Sequence, residues 1–419
     1  MNVPPTLKRC LLTFSVLMYC ACGGRSQPSV FPAETCLINS SDLPRSWRPP
    51  SDLSVAPSEA AWSADEQVAA DLAVQNGLRE MSAFMNANDE RVPQLWDNAV
   101  EAFINSAYAA SNQPELQARS LEIAAQHLQV LARPYMSLTG PPPTCEHVSE
   151  FLTLAVYAHS IAQRAPKNSR MKTIRDRLVE RTNLALDDCG TLDAVLGFDP
   201  VTVFDQPEAS NPDVYGWIMW SVTLTDAVSN PDLKMPPGSD QFIAKTWRYL
   251  STYTVPQGRD HPDGLNHMPA YDAAYLMTHA GYMPTGYGRH QLTVSSAPWL
   301  YRYIRENYYA AMKMGELDLF AEFVDLLRQY GCTEETDFQL RHGSRYLLSL
   351  YRTAGGSWMA HREPYEGVDI SDYDALHKPW TAIAGLRRRV FEPLSPGSFG
   401  ATFQSAVERG TSATASQSD

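Results

Sequence analysis

Apolar residues recur along most of this chain at the three- and four-residue spacing of a single helix face. Val68, Leu72 and Leu78 follow this spacing, and the alternation of apolar and polar positions that marks a half-buried strand is almost absent. The pattern predicts about twelve helices and an all-α fold class. These helices are expected from residue 93 onward and near 63–85, 114–133, 146–165, 168–188, 213–230, 239–253, 269–282, 298–314, 316–330, 335–352 and 375–388.

Capping residues and changes of composition set the expected limits of the domain. Ser63 and Glu66 have the spacing of a capping box, and Gly190 is placed to end the helix before it. Residues 190–212 have no helical period and are expected to be irregular. The predicted segments are a signal peptide at 1–21, a flexible tether at 22–60, a helical domain at 61–395 and a disordered tail at 396–419.

Short connections between successive helices favour antiparallel hairpins, and about twelve helices fit an α/α toroid of six hairpins. An open helical array is the competing architecture. Tyr346-Leu347-Leu348 is followed by Gly356-Ser357-Trp358. A helix end of this kind leading into a Gly-x-Trp turn resembles the motif of squalene cyclases and related α/α-toroid families. The resemblance implies the toroid, but the glutamine before the turn and the acidic motif of the cyclases are not found, so cyclase chemistry is not implied.

The first residues have the composition of an export signal. Lys8 and Arg9 supply positive charge, and the apolar run at 11–18 is too short to span a membrane. Cys22, flanked by small residues, resembles the lipidated cysteine of bacterial lipoproteins. The resemblance implies a lipid anchor at Cys22 and a place in the bacterial cell envelope, facing the periplasm or the cell exterior. Lipidation at Cys20 and an ordinary secretory signal are the alternatives.

The overall charge and the remaining cysteines narrow the possibilities further. A formal net charge of -13 disfavours nonspecific binding to nucleic acid, whose phosphates an acidic protein repels. Four cysteines follow the proposed lipid site, and an even number in an oxidising compartment favours one or two disulfides. No cysteine and histidine spacing indicates a zinc site, and the cofactor is unknown. Three pairings are open among Cys36, Cys145, Cys189 and Cys332.

Histidine, tyrosine and other hydrogen-bonding residues are concentrated between His261 and His290. A plain core would favour leucine and valine here, so the density indicates a site. The composition resembles that of toroidal polysaccharide lyases, which use Asn, His, Tyr and Arg around an acidic sugar. One group removes a proton and another protonates the leaving oxygen. The predicted catalytic residues are His267, Tyr271 and His279, and the predicted substrate-binding residues are Asn266 and Arg289.

Aromatic and histidine residues in the last third of the chain extend this hypothesis. A tryptophan beside a loop offers a face on which a sugar ring can stack. The further predicted substrate-binding residues are Trp358, His361 and Trp380. The first hypothesis is therefore a carbohydrate-active enzyme, either a polysaccharide lyase or a glycoside hydrolase.

Two alternative functions are open. Asp272 and His279 lie two helical turns apart, and Asp374 and His377 are three residues apart, so these four could hold zinc, iron or manganese. That set predicts a metal-dependent enzyme. Tyrosine and histidine also line grooves and cap helices without catalysing anything. The second alternative is thus a noncatalytic periplasmic or surface protein that binds a polysaccharide or a small molecule.

Overall fold

The computed structural model describes residues 35–87, 100–105, 113–137, 139–205, 211–253, 255, 258, 264–266, 268–363 and 371–415. Regular secondary structure within these ranges is entirely helical, which confirms the predicted all-α class. The described α-helices are α1 Ala64–Ala87, α2 at 100–105, α3 Pro114–Met136, α4 Val148–Arg164, α5 Ser169–Cys189, α6 Leu192–Leu196, α7 Asn211–Ser229, α8 Ser239–Thr252, α9 Met268–Thr285, α10 Pro298–Met314, α11 Leu317–Gln329, α12 Phe338–Thr353, α13 Asp372–Leu386 and α14 Phe399–Ala415.

Local signals explain where several of these helices begin and end. Glu66 N donates to the Ser63 hydroxyl at 3.1 Å, and Ser63 N donates to Glu66 Oε2 at 2.8 Å, which is the predicted capping box. Gly190 ends α5 with a left-handed φ of 71°, a conformation that suits a residue without a side chain. The stretch 190–212, predicted to be irregular, also contains α6 and a 3-10 helix at Thr202–Asp205.

Helix α11 lies at the centre of the described fold. It packs against α9, α10, α12 and α13, and all of its residues except Asp318 are buried. A helix without a solvent face must satisfy its charged residues inside the protein. Successive helices pack on one another from α3 to α5 and from α10 to α13, in agreement with the expected hairpins. Closure of the helices into a toroid stays a prediction.

The segment that precedes α1 is attached to α12. Leu37 N donates to Asp337 Oδ2 at 3.0 Å. Two turns further along α12, Arg345 donates to the carbonyls of Ser58 and Ala60 at 3.2 and 2.9 Å. The predicted flexible tether is therefore wrong for residues 35–60, because these bonds to a distant helix cannot be recognised in a proline- and serine-rich composition. Residues 22–34 lie outside the described part of the chain.

The C-terminal segment forms a further helix, α14. Its Phe399, Phe403 and Ala406 are buried and have the i, i+4, i+7 spacing of one helix face. This face packs against α7, α8 and α9. The predicted disorder is thus wrong for 399–415, since abundant serine, threonine and glycine concealed a short apolar stripe. The helical domain extends beyond its expected limit at residue 395.

Two disulfides settle the open cysteine pairings. Cys36 pairs with Cys332, which joins the N-terminal segment to the loop after α11, and Cys145 pairs with Cys189 at the end of α5. The Cα–Cα distances of 5.5 and 4.8 Å lie in the usual range for disulfides. Each bond therefore fixes two segments that are remote in sequence. None of the described helices has the length and apolar character needed to cross a membrane.

Candidate functional site

A polar stripe runs along α11, the central helix. Its residues are spaced by four, three and four positions, so their side chains project from one face. The other faces carry buried leucine, phenylalanine, alanine and valine. Because α11 has no solvent side, the stripe meets protein groups and a cavity. The residues of the stripe are Asp318, Glu322, Asp325 and Gln329.

The cavity beside this stripe has a volume of about 90 Å³, which is space for several water molecules. Side chains from α2, α7, α9, α11 and α13 line it, together with the turn after α9. Tyr215 and Tyr373 are its most exposed lining residues, at 37% and 36%, and mark the side that meets solvent. The lining residues are Glu101, Asn105, Tyr215, Met219, His279, Tyr282, Tyr287, Glu322, Asp325, Tyr373, His377, Trp380, Thr381, Ala384 and Arg387.

His279 of α9 reaches this cavity with a defined tautomer. Its Nδ1 lies 2.9 Å from the carbonyl oxygen of Tyr275, which can only accept a hydrogen bond. The neutral ring therefore carries its proton on Nδ1 and a lone pair on Nε2. Burial lowers the pKa of His279 to about 4, against a smaller opposite effect of the Tyr275 carbonyl. At neutral pH the imidazole is thus a proton acceptor and not a cation.

His377 of α13 is oriented by a carboxylate. Its Nδ1 lies 2.9 Å from Asp318 Oδ2, and the Tyr275 hydroxyl donates to the same oxygen at 2.6 Å. Burial raises the pKa of Asp318, but the charge of His377 and the hydrogen bonds from His377 and Tyr275 outweigh it, so the net shift is downward. Asp318 is therefore an ionised carboxylate that holds the His377 ring in place, as in other Asp–His dyads.

Glu322 has the opposite protonation state. Burial is the main cause that raises its pKa well above the usual range, and the negative charge of Asp318, one helical turn away, adds to it. Its Oε2 has no hydrogen-bond partner within the described ranges. Two carboxyl groups whose surroundings move their pKa values apart are the usual basis of acid and base roles in one site. Glu322 is the member of this pair that keeps its proton.

The turn after α9 carries Tyr287 into the cavity. Gly286, Tyr287 and Gly288 have positive φ values of 57°, 59° and 78°. A left-handed conformation is costly for a tyrosine and is found mainly where the surroundings impose it, often at functional sites. The guanidinium of Arg389 donates to the Gly288 carbonyl at 2.6 Å and also binds Asp325 of α11. These bonds hold the turn against the polar stripe.

Of the two predicted catalytic residues that the structure describes, one lies in the cavity. His279 lines it, whereas the hydroxyl of Tyr271 donates to Glu316 Oε1 at 2.7 Å and is absent from the lining. Asn266 is exposed in the 3-10 helix Gly264–Asn266 and also lies elsewhere. The structure thus places these two residues apart from His279, because the helix turns Tyr271 to Glu316 and leaves Asn266 in solvent. His267 lies outside the described residues.

The predicted substrate-binding residue Arg289 has a structural role. Its Nη2 lies 2.9 and 3.0 Å from the two carboxylate oxygens of Asp226, and its guanidinium lies 4.4 Å from the ring centre of Phe399. These contacts join α7, the turn after α9, and α14. The guanidinium thus joins parts of the fold and does not line the cavity.

Of the other predicted substrate-binding residues, Trp358 and His361 lie away from the cavity and Trp380 lines it. Trp358 is fully buried, its Nε1 donates to the Ala73 carbonyl at 2.9 Å, and no ring face is open to a sugar. His361 is buried beside Glu363, at 3.5 Å, and does not line the cavity. Both substrate-binding predictions are therefore wrong. Trp380 lies in the cavity wall, edge-on to His377 at 5.0 Å between ring centres.

The predicted metal ligands are only partly brought together. His279 and His377 line one cavity, but Asp272 does not reach it, and the Asp374 side chain lies outside the described residues. A different set is closer: ligand-type atoms of Asp318, Glu322 and His377 lie within 4.8 Å of one another. Asp272 is not part of this set, in which α11 supplies the two acids. Carboxylate and imidazole donors of this kind suit zinc, iron or manganese.

Sequence reasoning missed the acidic stripe and the tyrosines that complete the cavity. Asp318, Glu322 and Asp325 lie in the helix predicted near 316–330, and three acids on one face of a helix with many apolar residues are themselves a signal. Glu101 and Tyr215 come from distant helices, and nothing local distinguishes them. Comparison with protein-family models, with curated proteins and with solved structures finds no match to this chain.

Proposed function

We propose that this protein is a carbohydrate-active enzyme that cleaves a glycosidic bond by general acid–base catalysis in the cavity on α11. One observation carries the proposal: a neutral histidine with a fixed tautomer and a carboxyl group that keeps its proton face the same cavity. These are His279 and Glu322. The aromatic wall supports a sugar substrate, because rings with polar edges suit a ligand that has both apolar faces and hydroxyl groups.

The roles follow from the protonation states. Glu322 donates its proton to the leaving oxygen as the glycosidic bond breaks, and His279 Nε2 accepts a proton either from the sugar or from an attacking water. The first case is elimination and the second is hydrolysis. His377 is held by Asp318 and lies beside Glu322. It is therefore placed to return a proton to the Glu322 carboxylate after each turnover.

A screen of anionic and neutral polysaccharides tests this proposal. Elimination gives the absorbance of an unsaturated uronate, and hydrolysis gives new reducing ends without it. We expect Glu322→Gln to lower kcat by about 10²- to 10⁴-fold. Tyr271→Phe is the matched control, because that hydroxyl lies outside the cavity on Glu316. A Glu322→Gln variant as active as the wild type, or equal losses in both variants, would contradict the assignment.

A metal-dependent enzyme is the second candidate, supported by the cluster of Asp318, Glu322 and His377. Asp318 Oδ1 and Glu322 Oε2 are buried without a described hydrogen-bond partner, as expected of oxygens that can bind a cation. Elemental analysis of purified protein separates the two candidates. One equivalent of a transition metal, lost in Glu322→Gln, would favour the metal site, and a metal-free active enzyme would exclude it. Binding of sugars without turnover would favour a noncatalytic binding protein.

We also propose that the chain is exported and anchored through a lipid on Cys22. The export-like N-terminus supports this, and two structural disulfides agree with an oxidising compartment. A polysaccharide of the cell envelope or its surroundings would then be within reach of the cavity.

A further inference from the structure

Arg387, directly after α13, is a cavity residue that makes no ion pair within 4.0 Å in the part of the chain that the structure describes. It is 5% exposed and lines the cavity. Its guanidinium makes no hydrogen bond or ion pair within 4.0 Å to any residue in the described ranges, and its Nε is buried without a partner. The other buried arginines have protein partners: Arg305 and Arg328 bind the carboxylates of Asp337 and Glu334, and Arg181 and Arg341 donate to backbone carbonyl oxygens.

Nearby acids do not supply the missing partner. Asp325 is engaged by Arg389, the arginine two residues further along the chain. Glu322, the other acid of α11 in the wall, makes no ion pair with Arg387 within 4.0 Å. Burial and the positive charge of Arg389 lower the pKa of Arg387 to about 9, against an opposite effect of the Asp325 charge, so the group remains a cation at neutral pH. A buried cation without a partner is costly, which points to a partner that arrives with the ligand.

We propose that Arg387 binds a carboxylate of the substrate, so that the cavity accepts an acidic sugar such as a uronic acid. The planar guanidinium fork matches a carboxylate with two parallel hydrogen bonds. His279 and Glu322 line the same cavity. That the substrate is a sugar rests on the proposed function. That Arg387 binds an anion is independent of the proposed function.

An acidic sugar also selects one of the two reactions. The carboxylate acidifies the neighbouring C5–H bond, and pairing with Arg387 strengthens that effect. His279 Nε2 takes the C5 proton, the electrons of that bond form the C4–C5 double bond, and the C4–O bond breaks. The leaving oxygen receives the proton of Glu322. Atoms and charges balance without any other reactant, so elimination is the reaction expected of this cavity.

Binding measurements with glucuronate, glucose and acetate test the inference. These probes separate the carboxylate from the sugar ring, and titration calorimetry or ligand-observed NMR gives their affinities. Arg387→Gln removes the cation, and Arg388→Gln is the matched control. Arg388 is the neighbouring arginine, 53% exposed and 3.4 Å from Glu335 at the surface. We expect glucuronate to bind the wild type and the control equally, and Arg387→Gln about 10- to 100-fold more weakly.

The outcomes distinguish this inference from the proposed function. If glucose binds as tightly as glucuronate and Arg387→Gln has no effect, the carboxylate site is overturned and the proposed carbohydrate-active enzyme stands. Acetate binding that depends on Arg387, without binding of either sugar, would support the anion site and contradict the carbohydrate substrate. No binding of glucuronate or acetate at millimolar concentration would overturn the inference.

A second measurement needs no ligand. Arg387→Met replaces the cation by an apolar side chain of similar length. A cation that has no partner until a ligand binds destabilises the free protein. We therefore expect Arg387→Met to unfold at a higher urea concentration than the wild type. A lower midpoint for Arg387→Met than for Arg388→Met would mean that Arg387 stabilises the fold, and would overturn the assignment.

Discussion

Burial of His279 as a neutral ring predicts that the folded protein loses stability in weak acid. The imidazole has a pKa of about 4 in the folded state and 6.5 as its ordinary value. Between these pH values the unfolded chain binds a proton at residue 279 that the folded chain does not. Stability from this residue is therefore complete above pH 6.5 and falls as the pH falls towards 4.

The size of the effect follows from the two pKa values. Proton linkage predicts a loss of about 1.8 kcal/mol between pH 7 and pH 5, and about 2.8 kcal/mol by pH 4. Asp318 and His377 act on His279 electrostatically and also titrate. A single stability curve would therefore mix several groups. The difference between the wild type and His279→Phe isolates this residue, because phenylalanine keeps a planar ring but cannot bind a proton.

Urea unfolding at pH 7, 6, 5 and 4 measures this difference. The variant loses the hydrogen bond to Tyr275, so it starts from a different stability at pH 7. That offset does not affect the comparison, which uses only the change with pH. We expect the wild type to lose about 2 kcal/mol more than the variant between pH 7 and pH 5. Parallel losses in the two proteins would refute the claim that the folded state keeps this ring neutral.

Two further predictions concern the covalent links of the chain. The disulfides Cys36–Cys332 and Cys145–Cys189 close sequence separations of 296 and 44 residues. Loop-closure entropy predicts that replacing the first pair by serine lowers the free energy of unfolding by about 1.7 kcal/mol more than replacing the second; equal losses in urea would contradict this. Cys22→Ser is expected to release the protein from membranes and to abolish labelling by a fatty-acid analogue, and an unlabelled wild type would refute the anchor.

Most helices could be predicted from local sequence, because the residues that share a helix face are only three or four positions apart. The capping box at Ser63 and the glycine end at Gly190 were predictable for this reason. The segment at 35–60 was not, since bonds such as Leu37 N to Asp337 join residues 300 positions apart. The α14 helix was not predicted for a different reason. It has only three buried apolar positions, and the small polar residues around them are typical of a disordered tail.

The candidate site was only partly predictable from composition. The density of polar residues around His279 pointed to a helix that lines the cavity, but Tyr271 and Arg289 join α9 and the turn after it to α11 and α7. A polar residue on a packed helix can have a structural or a chemical role. Which role it has depends on the group that faces it. That partner comes from another helix. Glu322 illustrates this, because its position is unremarkable until α9 and α13 are placed around it.

Arg305 and Arg387 are both buried, but the described residues give them different partners. Arg305 donates to both oxygens of Asp337, at 2.9 and 2.6 Å, and to the side chain of Gln339. The chain thus supplies good partners for a buried guanidinium where the need is structural. Arg387 has none among the described residues, and Glu322 retains an unpaired oxygen in the same cavity. In our proposal a ligand completes both groups, with a carboxylate at Arg387 and a leaving oxygen at Glu322.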